Sequence, residues 1–125
     1  NLVFLRPLGL RLGKQALEEI VKTNTLIEEI TGEPVRYIRP PYGSYSNSLL
    51  MQINMTPVLW SVDPEDWNTD NTGQVVKSVV ANVKCGDIIL LHDIYDSSVA
   101  AALEIVDELK AKGFIFVTVD QLLLD

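Results

Sequence analysis

The sequence has one cysteine, Cys85, and one histidine, His92, in 125 residues. A single thiol excludes an internal disulfide and a zinc site built from cysteines. A single imidazole limits any metal centre assembled from this chain to one histidine ligand. Cations are scarce as well: ten Lys and Arg stand against seventeen Asp and Glu, a net charge of -7. That balance argues against nucleic acid as the main partner, because phosphate binding needs an excess of cationic side chains. It argues equally against an electrostatic patch for anionic lipid. No apolar run approaches the ~20 residues a membrane-spanning helix requires. The opening NLVFLRPLG has no initiator Met and lacks the charged start, apolar core and cleavage site of a secretory leader. The chain is therefore read as beginning inside a longer protein. No low-complexity tract, repeat or Gly/Ser/Pro linker marks a domain boundary.

What is present is globular. Hydrophobic residues make up 47% and charged residues 22%, a composition that folds as one modest domain at this length. From Lys14 to Thr31, Ala16, Leu17, Ile20, Val21, Ile27 and Ile30 recur at helical spacing, with Gly32 and Pro34 beyond them as stop signals. A short strand, Val35 to Ile38, leads into the turn-rich RPPYGSYS, and Ser46 caps a helix running to about Ile53. PVLWSV, from Pro57 to Val62, reads as a buried strand followed by the loop DPEDWNTDNTG. A helix starting at Thr72 or Gly73 includes Val75, Val76, Val79, Val80 and Val83. Next come a strand over Asp87 to Leu91, the loop HDIYDS, and a helix from about Ser97 to Lys112 ended by Gly113. FIFVTV, from Phe114 to Val119, is the last strand, and Asp120 caps a short terminal helix.

Short strands rich in Ile, Val and Leu, alternating with helices, predict an α/β fold with a parallel sheet covered by helices. The order begins with a helix and lacks opening strands. Four strand–helix units are half of a closed eight-stranded barrel, which takes ~250 residues; a complete small doubly wound sheet is the competing architecture.

In parallel α/β folds, chemistry gathers where the strands end at their carboxyl side. The first strand delivers Arg39-Pro40-Pro41-Tyr42-Gly43, the second Asp63, Asp66 and Trp67, the third His92 and Asp93. The fourth delivers Thr118 and Asp120, which suit a helix cap. Taken singly, each has a structural explanation. Arg39 suits a surface ion pair, Pro-Pro-Tyr-Gly is turn chemistry, Asp63 and Asp66 suit turns and caps, and Asp93 and Asp96 can cap the next helix. Cys85 is expected to pack as a small hydrophobe.

Their order changes the weighting. RPPYG, then DPEDW, then ILLH, each at a strand end, resembles the polysaccharide deacetylase family (NodB-homology domain, carbohydrate esterase family four) over essentially the whole chain. The motifs correspond to the family's third, fourth (D-x-x-D-W) and fifth (L-x-x-H). The resemblance implies part of a distorted (β/α) barrel lacking its N-terminal strands, completed by a preceding segment or a second chain. It implies metal-assisted hydrolysis of an acetyl group on N-acetylglucosamine in peptidoglycan or a chitin-like polymer, with a divalent metal, zinc first, and a location outside the cell or at the wall. By resemblance, His92 is the general acid, Asp66 the carboxylate that orients it, and Arg39 the arginine that holds the catalytic-base aspartate. The backbone N–H of Tyr42 binds the oxyanion, Trp67, Leu90 and Leu91 wall the acetyl pocket, and Pro40, Pro41 and Tyr42 line the sugar groove. Acetyl xylan esterase is a substrate-level alternative. A non-catalytic relative binding glycan through Tyr42 and Trp67 is a second class of function, and a structural α/β module whose motifs are only turns is a third.

Nothing in the chain resembles the family's first motif, T-F-D-D-G, which supplies the base and a metal-binding aspartate. The second, H-S/T-x-x-H-P, aligns through Pro7 so that Leu2 and Arg6 occupy its two histidine positions. Leu has no lone pair to offer and Arg is a fixed cation that repels a metal. This chain alone is therefore expected to bind no catalytic metal and to hydrolyse little or nothing.

Overall fold

The protein is described by a computed structural model that covers residues 13–40, 43 and 45–124. Contacts divide the chain into two compact units that meet in sequence between Leu59 and Trp60. Each pairs backbone segments in parallel and covers them with helices, the α/β class expected of the sequence.

The first unit opens with α1 (Gly13–Thr31), ended by Gly32 at φ +75°. Its N–H donates to Glu28 O at 2.8 Å, the left-handed stop that glycine adopts without a Cβ penalty. β1 (Tyr37–Ile38) and β2 (Thr56–Pro57) pair in parallel, Tyr37 opposite Thr56 and Ile38 opposite Pro57. Between them lies α2 (Asn47–Ile53), whose cap Ser46 accepts the Leu49 N–H at 3.3 Å, as its position predicts. Ile20, Ile38 and Met55 form the core, flanked by Val35, Leu49 and Ile53. Only the amino-terminal part of the expected α1 stripe is buried. Ala16 and Ile20 are buried, whereas Val21 and Ile30 are 52% and 75% exposed. A helix of 19 residues runs about 28 Å, and this unit's core reaches it only around Ile20.

The second unit is built on two long helices, α3 (Thr72–Asn82) and α4 (Asp96–Ala111). Val75, Val76 and Val79 of α3 face Ala101, Ile105 and Leu109 of α4, the i, i+3, i+4 spacing of a packed helical face. Asn71 caps α3 by accepting the Gln74 N–H at 3.0 Å. No side chain caps α4: Tyr95 provides the backbone cap. Asp96 lies in the first turn, where its charge suits the helix dipole, so neither Asp93 nor Asp96 is the expected cap. Gly113, at φ +90°, closes α4 with its N–H on Lys110 O at 3.0 Å and the Phe114 N–H on Leu109 O at 3.0 Å, a Schellman ending. Phe114 then packs against the α3–α4 core.

All four strand expectations shrink, the first from Val35–Ile38 to Tyr37–Ile38. The segments 57–62 and 87–91 form no ladder with each other and pair at a single parallel bridge among the described residues, Val62 opposite Ile89. The run from Phe114 to Val119 forms no ladder among the described residues, and Ile115 and Phe116 are 84% and 49% exposed. β-propensity reports a side chain's fit to a pleated surface; a ladder also needs a neighbouring backbone. α5 (Val119–Leu124) is capped by Thr118 and not by Asp120. Thr118 Oγ1 accepts the Gln121 N–H at 3.4 Å while Gln121 Oε1 accepts the Thr118 N–H at 3.0 Å, a reciprocal capping box. Cys85 is exposed and not packed. No helix among the described residues is long and apolar enough to cross a membrane.

Replacing Gly113 with Ala forces a Cβ into the left-handed region and is expected to cost about 1–2 kcal/mol. Ile105→Ala, at a fully buried site, is expected to cost about 2–5 kcal/mol. Urea unfolding measures both; no loss at either position contradicts this packing.

Candidate active site

The parallel bridge sets the register of the site. Leu90 donates to Val62 O at 2.9 Å, and Ser61 and Val62 donate to Ile88 O at 3.0 and 3.1 Å. Since the two segments run the same way, the residues that follow them emerge at one end: Asp63 to Trp67 after Val62, and His92 after Leu91. A polar clasp locks the opposite end. The Asp87 carboxylate accepts the Lys84 N–H at 2.6 Å and the Ser61 hydroxyl at 2.8 Å, and Ser61 Oγ accepts the Ile88 N–H at 3.0 Å. The Lys84 backbone bond and the Ser61 bond hold the Asp87 carboxyl below its ordinary value.

The loop after Val62 turns sharply. Asp63 Oδ1 accepts the Glu65 N–H at 2.9 Å, and Glu65 sits at φ 52°, ψ 45°, a left-handed conformation that a side chain adopts at a cost. Asn68 then donates to Glu65 O at 2.9 Å, closing a 3₁₀ turn over Asp66–Asn68. This turn packs on α4 and buries Asp66 to 1% exposure. Asp63 thus has the turn-building part that its place before proline suggested, and Asp66 is delivered inward.

Asp66 and His92 meet through two bonds. The carboxylate Oδ1 lies 2.8 Å from His92 Nδ1, and Oδ2 accepts the His92 backbone N–H at 2.7 Å. Burial raises the Asp66 pKa, but the bonds from the His92 ring and backbone, with a contribution from the nearby Ser98 hydroxyl, outweigh it and hold the carboxyl below its ordinary value. The ionised carboxylate can only accept, so Nδ1 carries the proton of the 2.8 Å bond and Nε2 is left to exchange protons. The His92 side chain is 35% exposed and its partner is fully buried. A fixed, half-exposed imidazole on a buried anion can give or take a proton at one defined atom.

The first unit holds Arg39 and Pro40. Arg39 follows β1 directly, and its Nε is buried without a hydrogen-bond partner among the described residues. Burial lowers its pKa, and a guanidinium stays charged under such a shift. Pro40 is buried, and its carbonyl accepts the Gly43 N–H at 3.0 Å. Pro41, Tyr42, Leu2 and Arg6 lie outside the described residues. In the second unit, Trp67 is 52% exposed, Leu90 is buried, and Leu91 packs against the α3–α4 core. A cavity of about 310 Å³ opens elsewhere, on the α3–α4 surface beside Lys77, Glu104 and Glu108. Sequence reasoning missed Ser98, 2% exposed in the first turn of α4, and the Asp87–Ser61 clasp. The only signal for Ser98 was a small polar residue within one helical turn of a loop that carries His92.

The described residues do not fit a resident divalent metal. No three His, Cys, Asp or Glu side chains among them converge, and both Asp66 oxygens are already engaged by His92.

A family model described as polysaccharide deacetylase matches residues 10–58. The chain is 44% identical over 93% of its length to the peptidoglycan-N-acetylmuramic acid deacetylase PdaC of Bacillus subtilis (strain 168). It is 37% identical over 90% to the peptidoglycan-N-acetylglucosamine deacetylase PgdA of Listeria monocytogenes. It spans about a quarter of the length of these two curated relatives, 25% of each. The solved PdaC structure superposes with a TM-score of 0.87, covering 93% of this chain and 58% of that one. A CE4-family pseudoenzyme from Bacillus anthracis superposes at 0.79 with 25% identity, over 93% of this chain and 42% of that one.

Asp66 and Asp87 both titrate below their unfolded values. Their stabilisation is therefore complete above the ordinary carboxylate range, around pH 4, and is lost as the pH falls through it toward the lower native values. The melting temperature is expected to drop on acidification below about pH 4, and more gently in Asp66→Asn. An unchanged slope in that variant contradicts the assignment.

Proposed function

Because the chain belongs to the polysaccharide deacetylase family, we propose that it supplies the general-acid side of a site that removes the N-acetyl group from an amino sugar of peptidoglycan. One observation carries this reading: a half-exposed His92 whose Nδ1 is held at 2.8 Å by the buried carboxylate of Asp66. Amide hydrolysis breaks a carbon–nitrogen bond, and the amine leaves only when it gains a proton as the tetrahedral intermediate collapses. His92 Nε2 donates that proton, and Asp66 keeps the ring oriented. Arg39, by resemblance the holder of a base aspartate, has a buried Nε with capacity for an acceptor.

The likeness to PdaC and PgdA, both named as peptidoglycan deacetylases, supports peptidoglycan, a cell-wall polymer, as the glycan. Their names give different amino sugars, muramic acid and glucosamine, so the proposal is drawn at the N-acetyl amino sugar they share. The metal dependence implied by family membership needs ligands that the described residues do not offer, and no step here runs through a metal.

A second reading has its own support. A glycan-binding relative without turnover fits the lack of a convergent ligand set among the described residues and the likeness to a pseudoenzyme; Trp67, 52% exposed, offers a face for a sugar ring.

Acetate release from peptidoglycan, chitooligosaccharide and acetylated xylan separates these readings. In the full-length protein, His92→Ala is expected to lower kcat on peptidoglycan about 10²–10⁴-fold, and Asp66→Asn to lower it as well. Untouched turnover in both variants contradicts the acid assignment, and release from xylan alone contradicts the substrate. The 125-residue chain by itself is expected to release little or no acetate and to hold no stoichiometric zinc; zinc together with turnover overturns that expectation.

A further inference from the structure

The Asp66–His92 pair leaves one neighbouring group unexplained. Ser98 is 2% exposed, and its Oγ has no hydrogen-bond partner among the described residues. A buried hydroxyl without a partner is rare in a folded protein. Ser98 lies in the first turn of α4, on which the Asp66 turn packs, and its hydroxyl is among the groups that hold the Asp66 carboxyl below its ordinary value. That carboxylate has about four lone-pair sites, and the His92 ring and backbone use two of them. The start of α4 is fixed from two sides: the Ser98 N–H donates to Tyr95 O at 3.1 Å, and Thr72 Oγ1 of α3 donates to Ser97 O at 3.2 Å.

We infer that Ser98 is a positioning residue for His92, acting through Asp66: its O–H donates to the buried carboxylate and fixes the rotation that points Oδ1 at the ring and Oδ2 at the backbone N–H. Among the described residues, the other hydrogen bonds that oppose rotation of the carboxylate are the two from His92, one of which belongs to a half-exposed ring. With Ser98 engaged, three donors from two elements hold the carboxylate, and the direction of His92 Nε2 follows. The consequence for turnover rests on the reading of His92 as the general acid; the contact itself does not.

The test follows Asp66 Cγ and Ser98 Cβ by carbon NMR through an acid titration of the full-length protein, with acetate release measured beside it. In the wild type, Ser98 Cβ is expected to shift with the same midpoint as Asp66 Cγ. Ser98→Ala should move the Asp66 midpoint upward and lower kcat with KM unchanged, and Ser98→Thr, which keeps the hydroxyl, should restore both. A Ser98 Cβ signal that ignores the Asp66 titration overturns the inference, and so does an Asp66 midpoint unmoved in Ser98→Ala. If Ser98→Ala does not fold, the wild-type pair of signals decides. Coupled signals without acetate release leave the inference standing and remove the deacetylase reading; uncoupled signals with release do the reverse.

Discussion

A carboxylate at 1% exposure is the constraint from which the rest of the second unit follows. An ionised group out of water is tolerated only when donors replace its hydration. Asp66 obtains two of them from one residue, the ring and the backbone N–H of His92. Both are available only if the chain after Val62 and the chain after Leu91 emerge at the same place. The parallel bridge at Val62 and Ile89, with the Asp87–Ser61 clasp behind it, fixes that coincidence. The α3–α4 core in turn supports the bridge, since Val62, Ile89 and Leu91 pack against it. The apolar packing and the polar site are thus one construction: the helices hold the segments, the segments hold the loops, and the loops bring an anion to an imidazole.

The local strain has a place in the same construction. Glu65 is one of two non-glycine residues with positive φ among the described residues, and it immediately precedes Asp66. Its left-handed turn, steadied by Asp63, is what sends the next side chain inward. Asn54, the other, ends α2, an ordinary use of that conformation. An unfavourable backbone beside a buried charge is stable only because the hydrogen bonds around both over-determine the turn.

Much of this was legible in the residues. The helices α2, α3 and α4, the Ser46 cap and the stops at Gly32 and Gly113 follow from apolar spacing and from chemistry within a few residues, and they stand to within a residue at each end, Val83 capping α3 in extended backbone instead of belonging to it. The pairing of Asp66 with His92 was legible only through the order of three motifs, because nothing local in DPEDW says which of its acids turns inward. The failures have two causes. Phe114 to Val119 has the composition of a strand but meets no ladder partner among the described residues. Val21 and Ile30 have the spacing of a core stripe but extend past the packing of their unit. In both, the sequence reports a preference and the tertiary neighbour settles it. Asp120 has the residue type of a cap, but a competing local pair, Thr118 with Gln121, sets the start of α5.

The central claim is that Asp66 holds His92 in one tautomer, with the proton on Nδ1 and Nε2 free for exchange. Nitrogen NMR of the His92 ring, at a pH where the imidazole is neutral, tests it most directly. A protonated, pyrrole-type Nδ1 and a pyridine-type Nε2 in the wild type, with the preference weakened in Asp66→Asn, is the predicted result. A proton resident on Nε2, or a tautomer balance indifferent to Asp66, contradicts the account.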